Sequence, residues 1–561
     1  MKLSVLTDKI KTRLITIYGY QPFSVEQLNM LAGEIKAIKN HISPEAVKWS
    51  ESTVFLITYG DSIFNSREKP LNTLYHFLNE YLAEIISHVH ILPFFPYSSD
   101  DGFSIIDYRA VDKKLGDWDD IQKIGSHYRL MFDLVLNHIS QHSEWFQSFI
   151  RQDGTGKDFF IETDPDTDLS DVTRPRSLPL ITPFETAGGL KHLWTTFSAD
   201  QIDLNYKNPQ VLFEMLMIYL YYLRQGSSAV RLDAVAFLWK EIGTSCMHLP
   251  QTHEVVKLMK DIAVFLNPGT IIITETNVPE KENLSYFAEG DEADMIYQFS
   301  LPPVLLHALY CGNSSYLQKW AGNQPEPPAG CTYYNFTASH DGIGVRPLEG
   351  ILPFDEILDF AHAIEKMGGI VSSRTTKSGS QNPYELNITY IDALRNTIRG
   401  PDEYQMERFI SSQTLMMSFR GIPAFYIHSL LGTGNDYEGV RKTGRARSIN
   451  RYKWDSDDLN EKLRSETIHS YVFSELTRRI LIRKKEYSFN PDVPQRVFPT
   501  DNNIFIMDRG DILVVANFTS NDVMVNCTQF KKKVTLTEIL ENRTTHSGMV
   551  KLKPYQVGWL K

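Results

Sequence analysis

Eight short apolar runs constrain the fold of this chain more than any other feature of its sequence. Their hydrophobicity is nearly continuous rather than alternating, which is typical of strands buried on both faces of a parallel sheet. Most are separated by segments with helical periodicity, such as 211–226. Strands that alternate with helices predict an α/β fold. The runs are VFLITY (54–59), HVHILPF (88–94), LMFDLVLNH (130–138), AVRLDAV (229–235), TIIITET (270–276), DMIYQFS (294–300), YYNFTASHD (333–341) and IPAFYIHS (422–429).

The chain is too long for a single hydrophobic core. It has 561 residues, and one core stops growing at roughly 250–300 residues. Two separations between runs are too long for one crossover helix, and the second lacks helical patterning until about residue 397. From about residue 485, short strands joined by Asn, Asp and Gly turns predict a β domain. We predict a helical extension at 1–50, barrel segments at 51–138, 203–341 and 398–484, inserted domains at 139–202 and 342–397, and a C-terminal β domain at 485–561.

Charge and apolar content exclude several classes of protein. A net charge of −11 argues against a general nucleic-acid binder and gives no attraction to an anionic membrane. Lys9, Lys11 and Arg13 interrupt the region where the apolar core of a secretory signal would run, and no apolar stretch approaches the roughly 20 residues that span a bilayer. The four cysteines show neither metal-ligand spacing nor disulfide density. We expect a cytoplasmic protein whose oligomeric state the sequence does not specify.

Polar residues cluster at the carboxyl ends of the third, fourth, fifth and seventh runs. In a (β/α)₈ barrel these ends meet at one mouth and carry the active site. Cleavage of a glycosidic bond requires a proton donor and a carboxylate that manages the positively charged sugar centre. A single carboxylate at a strand end is more often a helix cap or a surface charge. Together, however, Asp233, Glu275 and Asp341 favour glycoside chemistry on a (β/α)₈ barrel.

Arg231 precedes Asp233 by two residues in the fourth run. Side chains two residues apart in a strand point to the same face. We therefore expect Arg231 to lie beside Asp233, where its positive charge would lower the pKa of the carboxyl group and keep it ionised.

Four segments resemble the characteristic motifs of the α-amylase superfamily, and they occur in the same order: LVLNH, VRLDAV, IIITETN and ASHDGIG. The resemblance covers about residues 52–480. It implies Asp233 as the nucleophile that forms a covalent glucosyl-enzyme, and Glu275 as the general acid/base. It also implies that Asp341 binds sugar hydroxyls and stabilises the transition state. The residues that match substrate-positioning residues of the superfamily are His138, Arg231 and His340.

A narrower resemblance implies phosphate as the attacking group. The segments SSDDGFSIIDY, RPRSLP, RLDAVAFLWKEIGTSC, QFSLPPVLLHAL, SHDGIGV and RSINR are similar to segments of sucrose phosphorylase and its relatives. This similarity implies Asp101 and Phe103 as the glucose-binding acid and its aromatic platform, and Arg176 and Arg447 as arginines near the phosphate or acceptor pocket. The basic stretch 441–453 would usually be a solvated face, but arginine binds phosphate and carboxylate bidentately. Inorganic phosphate is the expected co-substrate.

The acceptor side departs from sucrose phosphorylase at four positions. Asn277 replaces a histidine, Glu385 replaces a glutamine, and Phe237 and Thr173 replace tyrosines. The longer amino-terminal segment and the motifs TETNVP, GTSCMHLP, YQFSLPP and PYELN resemble the glucosylglycerate phosphorylases of the same subfamily. In that group glycerate takes the place of fructose, and its carboxylate requires positive charge. The candidates for this charge are Arg441, Arg445 and Arg447.

The leading hypothesis is reversible phosphorolysis of 2-O-α-glucosylglycerate to α-D-glucose 1-phosphate and D-glycerate. Sucrose phosphorylase and glucosylglycerol phosphorylase are the close alternatives, followed by a plain α-glucosidase. A non-catalytic barrel that serves as a binding subunit is an alternative of another class, and its mark would be a missing carboxylate; none of the three is missing. We expect no organic cofactor and no catalytic metal, since Asp-rich loops such as the one after residue 160 more often form turns.

Overall fold

Eight parallel strands close into a barrel in the computed structural model, and each overlaps one of the eight apolar runs. Hydrogen bonds join each strand to the next in chain order and the last strand to the first, as a (β/α)₈ barrel requires. The structure describes residues 2–42, 47–176, 178–375, 381–531, 535–541, 543–545 and 548–561. The barrel strands are β1 (Phe55–Thr58), β2 (His88–Ile91), β3 (Arg129–Val135), β4 (Ser227–Asp233), β5 (Ile271–Thr274), β6 (Met295–Tyr297), β7 (Thr332–Asn335) and β8 (Ile422–Tyr426).

Helices follow the barrel strands and cover the outside of the barrel. Pro70, Pro209 and Pro250 each stand in the first turn of a helix, where the missing N–H leaves no hydrogen bond unmade. The helix before β3 begins with a capping box between Asp117 and Asp120. The helices are Pro70–Phe77, Trp118–Gly125, Pro209–Arg224, Pro250–Leu266, Glu280–Leu284, Leu301–Cys311, Ser315–Gly322, Gln405–Met416, Ile427–Leu430, Tyr437–Thr443, Ser456–Arg464 and Ile468–Arg483.

The predicted N-terminal extension is helical and packs against the barrel helices Pro209–Arg224 and Pro250–Leu266. It contains the helices Leu3–Tyr18 and Val25–His41. The first helix buries one apolar stripe, and its Arg13 lies 3.1 Å from the carboxylates of Glu254 and Asp261 on the helix that follows β4. Four residues of the predicted extension, 43–46, lie outside the described residues.

Two insertions interrupt the barrel. The first holds the helix Glu144–Arg151 and two pairs of short antiparallel strands, and a small apolar cluster around Trp194 joins it to Cys246. The second contains the helix Phe354–Lys366, so the expectation of no helical patterning before about residue 397 was wrong. The apolar side of the helix Phe354–Lys366 packs against the antiparallel sheet of the second insertion and against the helix Leu301–Cys311. The inserted strands are His138–Ser140, Ile181–Thr186, Gly189–Trp194 and Gln201–Asp203 in the first insertion, and Ile343–Gly344, Ile370–Thr375, Gln381–Asn387, Asn396–Thr397 and Gly400–Pro401 in the second.

The C-terminal region forms the predicted β domain. A six-stranded sheet and a two-stranded sheet enclose a separate apolar cluster. Buried Trp559 donates a hydrogen bond of 2.8 Å from its indole to Ser418 and so ties this domain to the barrel. Within the described ranges, no helix combines the length and apolar character needed to cross a bilayer. The strands are Arg496–Phe498, Ile504–Arg509, Ile512–Asn517, Val523–Asn526, Leu536–Glu538, Arg543–Thr545, Met549–Leu552 and Val557–Leu560.

Candidate active site

The barrel brings the three predicted carboxylates to one mouth. Asp233 is the last residue of β4, Glu275 directly follows β5, and Asp341 lies in the loop after β7. Since β4 and β5 are hydrogen-bonded neighbours, Glu275 comes to rest beside the end of β4. Its Oε2 accepts a hydrogen bond of 3.2 Å from the backbone N–H of Ala234. The strand order alone thus explains why residues distant in sequence share one site.

Arg231 is the buried cation at the centre of the site. Its Nη1 lies 2.6 Å from Oδ1 of Asp233, and its Nη2 lies 4.0 Å from Oε2 of Glu275. The same guanidinium contacts buried Asp133, which also lies 2.7 Å from Nε2 of His90. Arg231 therefore lies between Asp233 and Glu275, the two carboxylates with different proposed roles. Asp133 holds Arg231 in place.

The pKa of Asp233 departs from the sequence-based expectation. Burial raises the pKa of this carboxyl group well above its ordinary value, although Arg231 acts in the opposite direction as predicted. Burial also raises the pKa of Glu275. Because Arg231 contacts Asp233 directly and Glu275 only at 4.0 Å, the negative charge of this coupled pair is favoured on Asp233 and the proton on Glu275. Retaining glycoside chemistry requires this division.

The pKa of Asp341 is shifted in the opposite direction from those of Asp233 and Glu275. Although burial raises its pKa, the positive charge of Arg447 and further contributions from His340 and Arg451 hold the pKa below its usual range. Nη1 of Arg447 lies 2.6 Å from Oδ1 of Asp341. The other edge of the same guanidinium binds Glu385 bidentately, at 3.1 and 2.7 Å. Asp341 is thereby kept ionised.

The predicted glucose-binding residues surround the same mouth. The rings of Phe103 and His340 stack at a centroid distance of 4.8 Å and an interplanar angle of 6°. Nε2 of His138 lies 3.0 Å from the carbonyl oxygen of Phe103. Burial lowers the pKa of His138 to about 4 and that of His340 to about 3, so both are neutral hydrogen-bonding groups near pH 7. Asp101 pairs with the guanidinium of Arg451.

Asp100 and Asp101 both adopt left-handed backbone conformations, with φ of 54° and 48°. Two adjacent non-glycine residues in this region are costly, and such strain concentrates at functional sites. The strained turn aims two neighbouring carboxylates at different arginines. Asp100 lies 3.2 Å from Nη2 of Arg176, whereas Asp101 pairs with Arg451. Burial raises the pKa of Asp100, but Arg176, Arg447 and Arg451 together hold it far below its usual range.

Four arginines line a cavity of about 380 Å³ beside these carboxylates, which we name the arginine cavity. Its walls come from the loop after β2, from both insertions and from the loop after β8. Arg441, one of the predicted acceptor-side candidates, instead lies exposed on the helix Tyr437–Thr443, outside this lining. The charged residues of the lining are Asp100, Arg176, Glu385, Arg445, Arg447 and Arg451. The structure thus brings two of the three acceptor-side candidates, Arg445 and Arg447, to one cavity.

Asn277 follows Glu275 by two residues and lines a cavity together with Asp341 and Gly344. Its amide is packed against Gly344, where an added Cβ would come within 2.6 Å of Oδ1 of Asn277. This oxygen is buried and has no hydrogen-bond partner among the described residues. The position therefore offers an unused acceptor to a substrate hydroxyl.

Lys240 is a buried cation that contacts Asp203 and Asn137. Nζ of Lys240 lies 2.7 Å from Oδ2 of Asp203 and 2.5 Å from Oδ1 of Asn137. The ammonium group of Lys240 thus lies between two oxygen atoms of the kind that coordinate hard metal cations. In the Asp-rich loop after residue 160, Asp164 and Asp168 accept hydrogen bonds from backbone N–H groups two residues ahead, which is turn chemistry.

Sequence reasoning missed several residues of the site. Asp133 was overlooked, although an acid inside a fully apolar run is itself a signal that it has a buried partner. Asp100 stands next to the predicted Asp101, and Arg451 ends the quoted segment RSINR. Tyr384, which lines the arginine cavity, carried no signal beyond its neighbour Glu385.

A closed parallel barrel with three carboxylates at its mouth defines a glycoside-transforming enzyme of the α-amylase type, and residues 78–319 match the family "Alpha amylase, catalytic domain". The chain is 45% identical to the glucosylglycerate phosphorylase of Escherichia coli, over 99% of this chain and 100% of the relative. It is 43% identical to the glucosylglycerate phosphorylase of Allomeiothermus silvanus, over the full length of both. The chain therefore belongs to the glucosylglycerate phosphorylase family.

A solved structure gives an independent comparison. The sucrose 6F-phosphate phosphorylase from Thermoanaerobacter thermosaccharolyticum aligns with a TM-score of 0.74 and 26% identity, over 91% of this chain and 99% of that chain. The resemblance to sucrose phosphorylase relatives therefore extends from short motifs to the whole architecture.

Proposed function

We propose that this chain catalyses the reversible phosphorolysis of 2-O-α-glucosylglycerate, which gives α-D-glucose 1-phosphate and D-glycerate. The proposal assigns the reaction to the barrel mouth and divides it into two displacements at C1 of glucose. Each displacement inverts the configuration, so the overall reaction retains it.

In the first displacement, Glu275 donates its proton to the glycosidic oxygen while the carboxylate of Asp233 attacks C1. The bond between C1 and the oxygen breaks, glycerate leaves with the proton, and a covalent glucosyl ester forms on Asp233. Arg231, 2.6 Å from Asp233, favours the ionised nucleophile before attack. The negative charge of Asp341 stabilises the positive charge that develops at C1.

In the second displacement, an oxygen of phosphate attacks C1 and its proton passes to Glu275. The ester bond breaks and Asp233 leaves as a carboxylate. Water competes for the same intermediate, so a phosphorylase must hold phosphate at the site. Arg176 and Arg447 are the proposed phosphate ligands, because guanidinium groups bind phosphate oxygens bidentately.

The observation that carries the proposal is the arginine cavity. In a chain with a net charge of −11, four arginines line one cavity beside the catalytic carboxylates. Attack by water requires no such concentration of positive charge, whereas phosphate and glycerate are both anions. The full-length similarity to glucosylglycerate phosphorylases favours glycerate over fructose as the acceptor.

The test is phosphorolysis of synthetic 2-O-α-glucosylglycerate followed by proton NMR. We expect α-glucose 1-phosphate and glycerate in equal amounts, formed only when inorganic phosphate is present. Free glucose formed at the same rate without phosphate would instead identify a hydrolase, and β-glucose 1-phosphate would contradict the double displacement.

The proposed reaction uses inorganic phosphate as co-substrate and involves neither an organic cofactor nor a catalytic metal. We also propose a cytoplasmic location, which suits a protein whose four cysteines, all within the described residues, are free thiols. Its partners would then be small sugar substrates and phosphate.

A further inference from the structure

The segment that follows Asp341 forms one edge of the acceptor side. Gly344 is paired with Glu385 in the sheet of the second insertion, and the N–H of Val345 donates a hydrogen bond of 3.0 Å to the carbonyl oxygen of Tyr384. On its other side, Gly344 packs against the amide of Asn277. Arg346 comes next in the chain, so its backbone is fixed between the acid/base strand and the wall of the arginine cavity.

Arg346 is a half-buried cation with unused hydrogen-bonding capacity. Its Nε is buried without a hydrogen-bond partner, and its guanidinium forms no ion pair with any carboxylate of the described residues. A buried unpaired donor is costly unless a ligand satisfies it. Oδ1 of Asn277, which packs against Gly344 two residues before Arg346, is also buried without a partner among the described residues.

A second arginine, Arg374, lies near Arg346 and is paired through its Nη2 with Oε1 of Glu349 at 2.8 Å. Arg374, on the neighbouring strand, also has a buried Nε without a partner. Burial lowers the pKa of Arg374, and the nearby Arg346 charge lowers it further. Burial likewise lowers the pKa of His248 to about 4, with a contribution from Arg346. Arg346 thus lies close enough to Arg374, His248 and Tyr384 for its charge to act on the pKa values of all three.

The other arginines of the site differ from Arg346 in their partners. Arg447 binds two carboxylates, Arg451 pairs with Asp101, and Arg176 pairs with Asp100. Arg445 is 45% exposed and reaches Asp101 only at 4.0 Å. Among the arginines of the described residues near the mouth, Arg346 combines a buried unpartnered Nε with the absence of any carboxylate partner, and it lies two residues after Gly344, which packs against Asn277.

We infer that Arg346 is a specificity-determining residue that binds the carboxylate of glycerate. The inference rests on the proposed function. In 2-O-glucosylglycerate, the carboxylate is attached to the carbon that bears the scissile oxygen, so it must lie close to Glu275. Arg346 lies two residues after Gly344, which packs against Asn277, and its guanidinium can donate two parallel hydrogen bonds to a carboxylate. The free 3-hydroxyl of glycerate would donate a hydrogen bond to Oδ1 of Asn277.

The inference is tested with Arg346→Gln and Arg346→Lys, assayed with glucose 1-phosphate and either glycerate or its uncharged analogue glycerol. For Arg346→Gln we expect the KM for glycerate to rise about 10- to 100-fold, the usual size of a lost charge-assisted hydrogen bond. The preference for glycerate over glycerol should fall by a similar factor, and the KM for glucose 1-phosphate should change less than about threefold. Arg346→Lys should restore part of the preference because it keeps the charge.

Arg441→Ala is the matched control, since it removes an exposed arginine outside the arginine cavity. Circular dichroism and thermal unfolding establish that each variant is folded. An unchanged KM for glycerate in a folded Arg346→Gln variant would overturn the inference about Arg346 but would leave the proposed function standing. An equal rise in the KM values for glycerate and glucose 1-phosphate would also overturn it and assign Arg346 to phosphate. If the unmodified protein released no phosphate in response to glycerate, the proposed function would fall, and the inference with it.

Discussion

The glucose side and the acceptor side of the site are built from different parts of the chain. The glucose side, comprising Asp233, Glu275, Asp341 and the stacked pair Phe103 and His340, rests largely on barrel strand ends and the loops that follow them. The acceptor side comprises residues of the arginine cavity, with Arg346 as the inferred addition, and comes largely from the insertions and from the loop after β8. The cavity residues are Arg176, Tyr384, Glu385 and Arg445.

The residues that break the glycosidic bond and the residues that select the acceptor therefore lie on different structural elements. Strands of a closed barrel hold their carboxyl ends rigidly, so the carboxylates that break the bond have little freedom to vary. Inserted loops tolerate substitution, and they supply the charges that select the attacking or leaving group. We expect changes on the glucose side to reduce every reaction of the enzyme together, and changes on the acceptor side to redistribute activity among acceptors.

The largest expected effect is that of Asp233→Asn. Loss of the nucleophile should reduce kcat about 10⁴-fold or more with every acceptor, including water. The measurement is release of phosphate from glucose 1-phosphate with and without glycerate. Retained turnover in a folded variant would refute the assignment of Asp233.

Arg231→Met should have the next largest effect. It leaves Asp133 and Asp233 buried without their shared cation, so we expect a loss of about 3–5 kcal/mol in the free energy of unfolding. We also expect kcat to fall by about 10³-fold. Chemical denaturation and steady-state rates measure both effects, and a variant with normal stability would contradict the central role of this arginine.

Arg176→Ala tests the acceptor side. It removes one proposed phosphate ligand while leaving the carboxylates of the glucose side in place, so the KM for phosphate should rise about tenfold. The fraction of glucosyl-enzyme that is hydrolysed should rise as well, because water then competes better. Equal losses of phosphorolysis and hydrolysis would show that the two sides are not separable.

The smallest expected effect is a gain in stability from Glu275→Gln. Burial raises the pKa of Glu275 in the folded state, so ionisation costs stability once the pH exceeds the ordinary pKa of about 4.3. The neutral glutamine avoids this cost, and the variant should unfold at a higher temperature than the parent at pH 7 but not at pH 4. An equal difference at both pH values would contradict this explanation.

Sequence reasoning reached the glucose side more fully than the acceptor side. The barrel strands were visible as buried runs, and the carboxylates stood at their ends. The ion pair between Glu385 and Arg447 could not be derived from spacing, because it joins an inserted strand to the loop after β8. The raised pKa of Asp233 depends on the depth of burial, which a sequence does not report.

The missed helix Phe354–Lys366 has a different cause. Ile357, Phe360, Ala361 and Ile364 recur at helical spacing and are buried, so the pattern was present in the sequence. The prediction of an inserted domain at 342–397 left this helix out. Arg346 had no such pattern, since its importance arises only from the neighbours that the fold gives it.

The most direct test of the central claim is a comparison of acceptors with glucose 1-phosphate as the donor. The protein is incubated with D-glycerate, glycerol, fructose or water alone, and released phosphate and free glucose are both measured. We predict that glycerate gives the fastest release of phosphate, with glucosylglycerate as the product and little free glucose. Faster release with fructose than with glycerate, or equal release of glucose with and without an acceptor, would contradict the account.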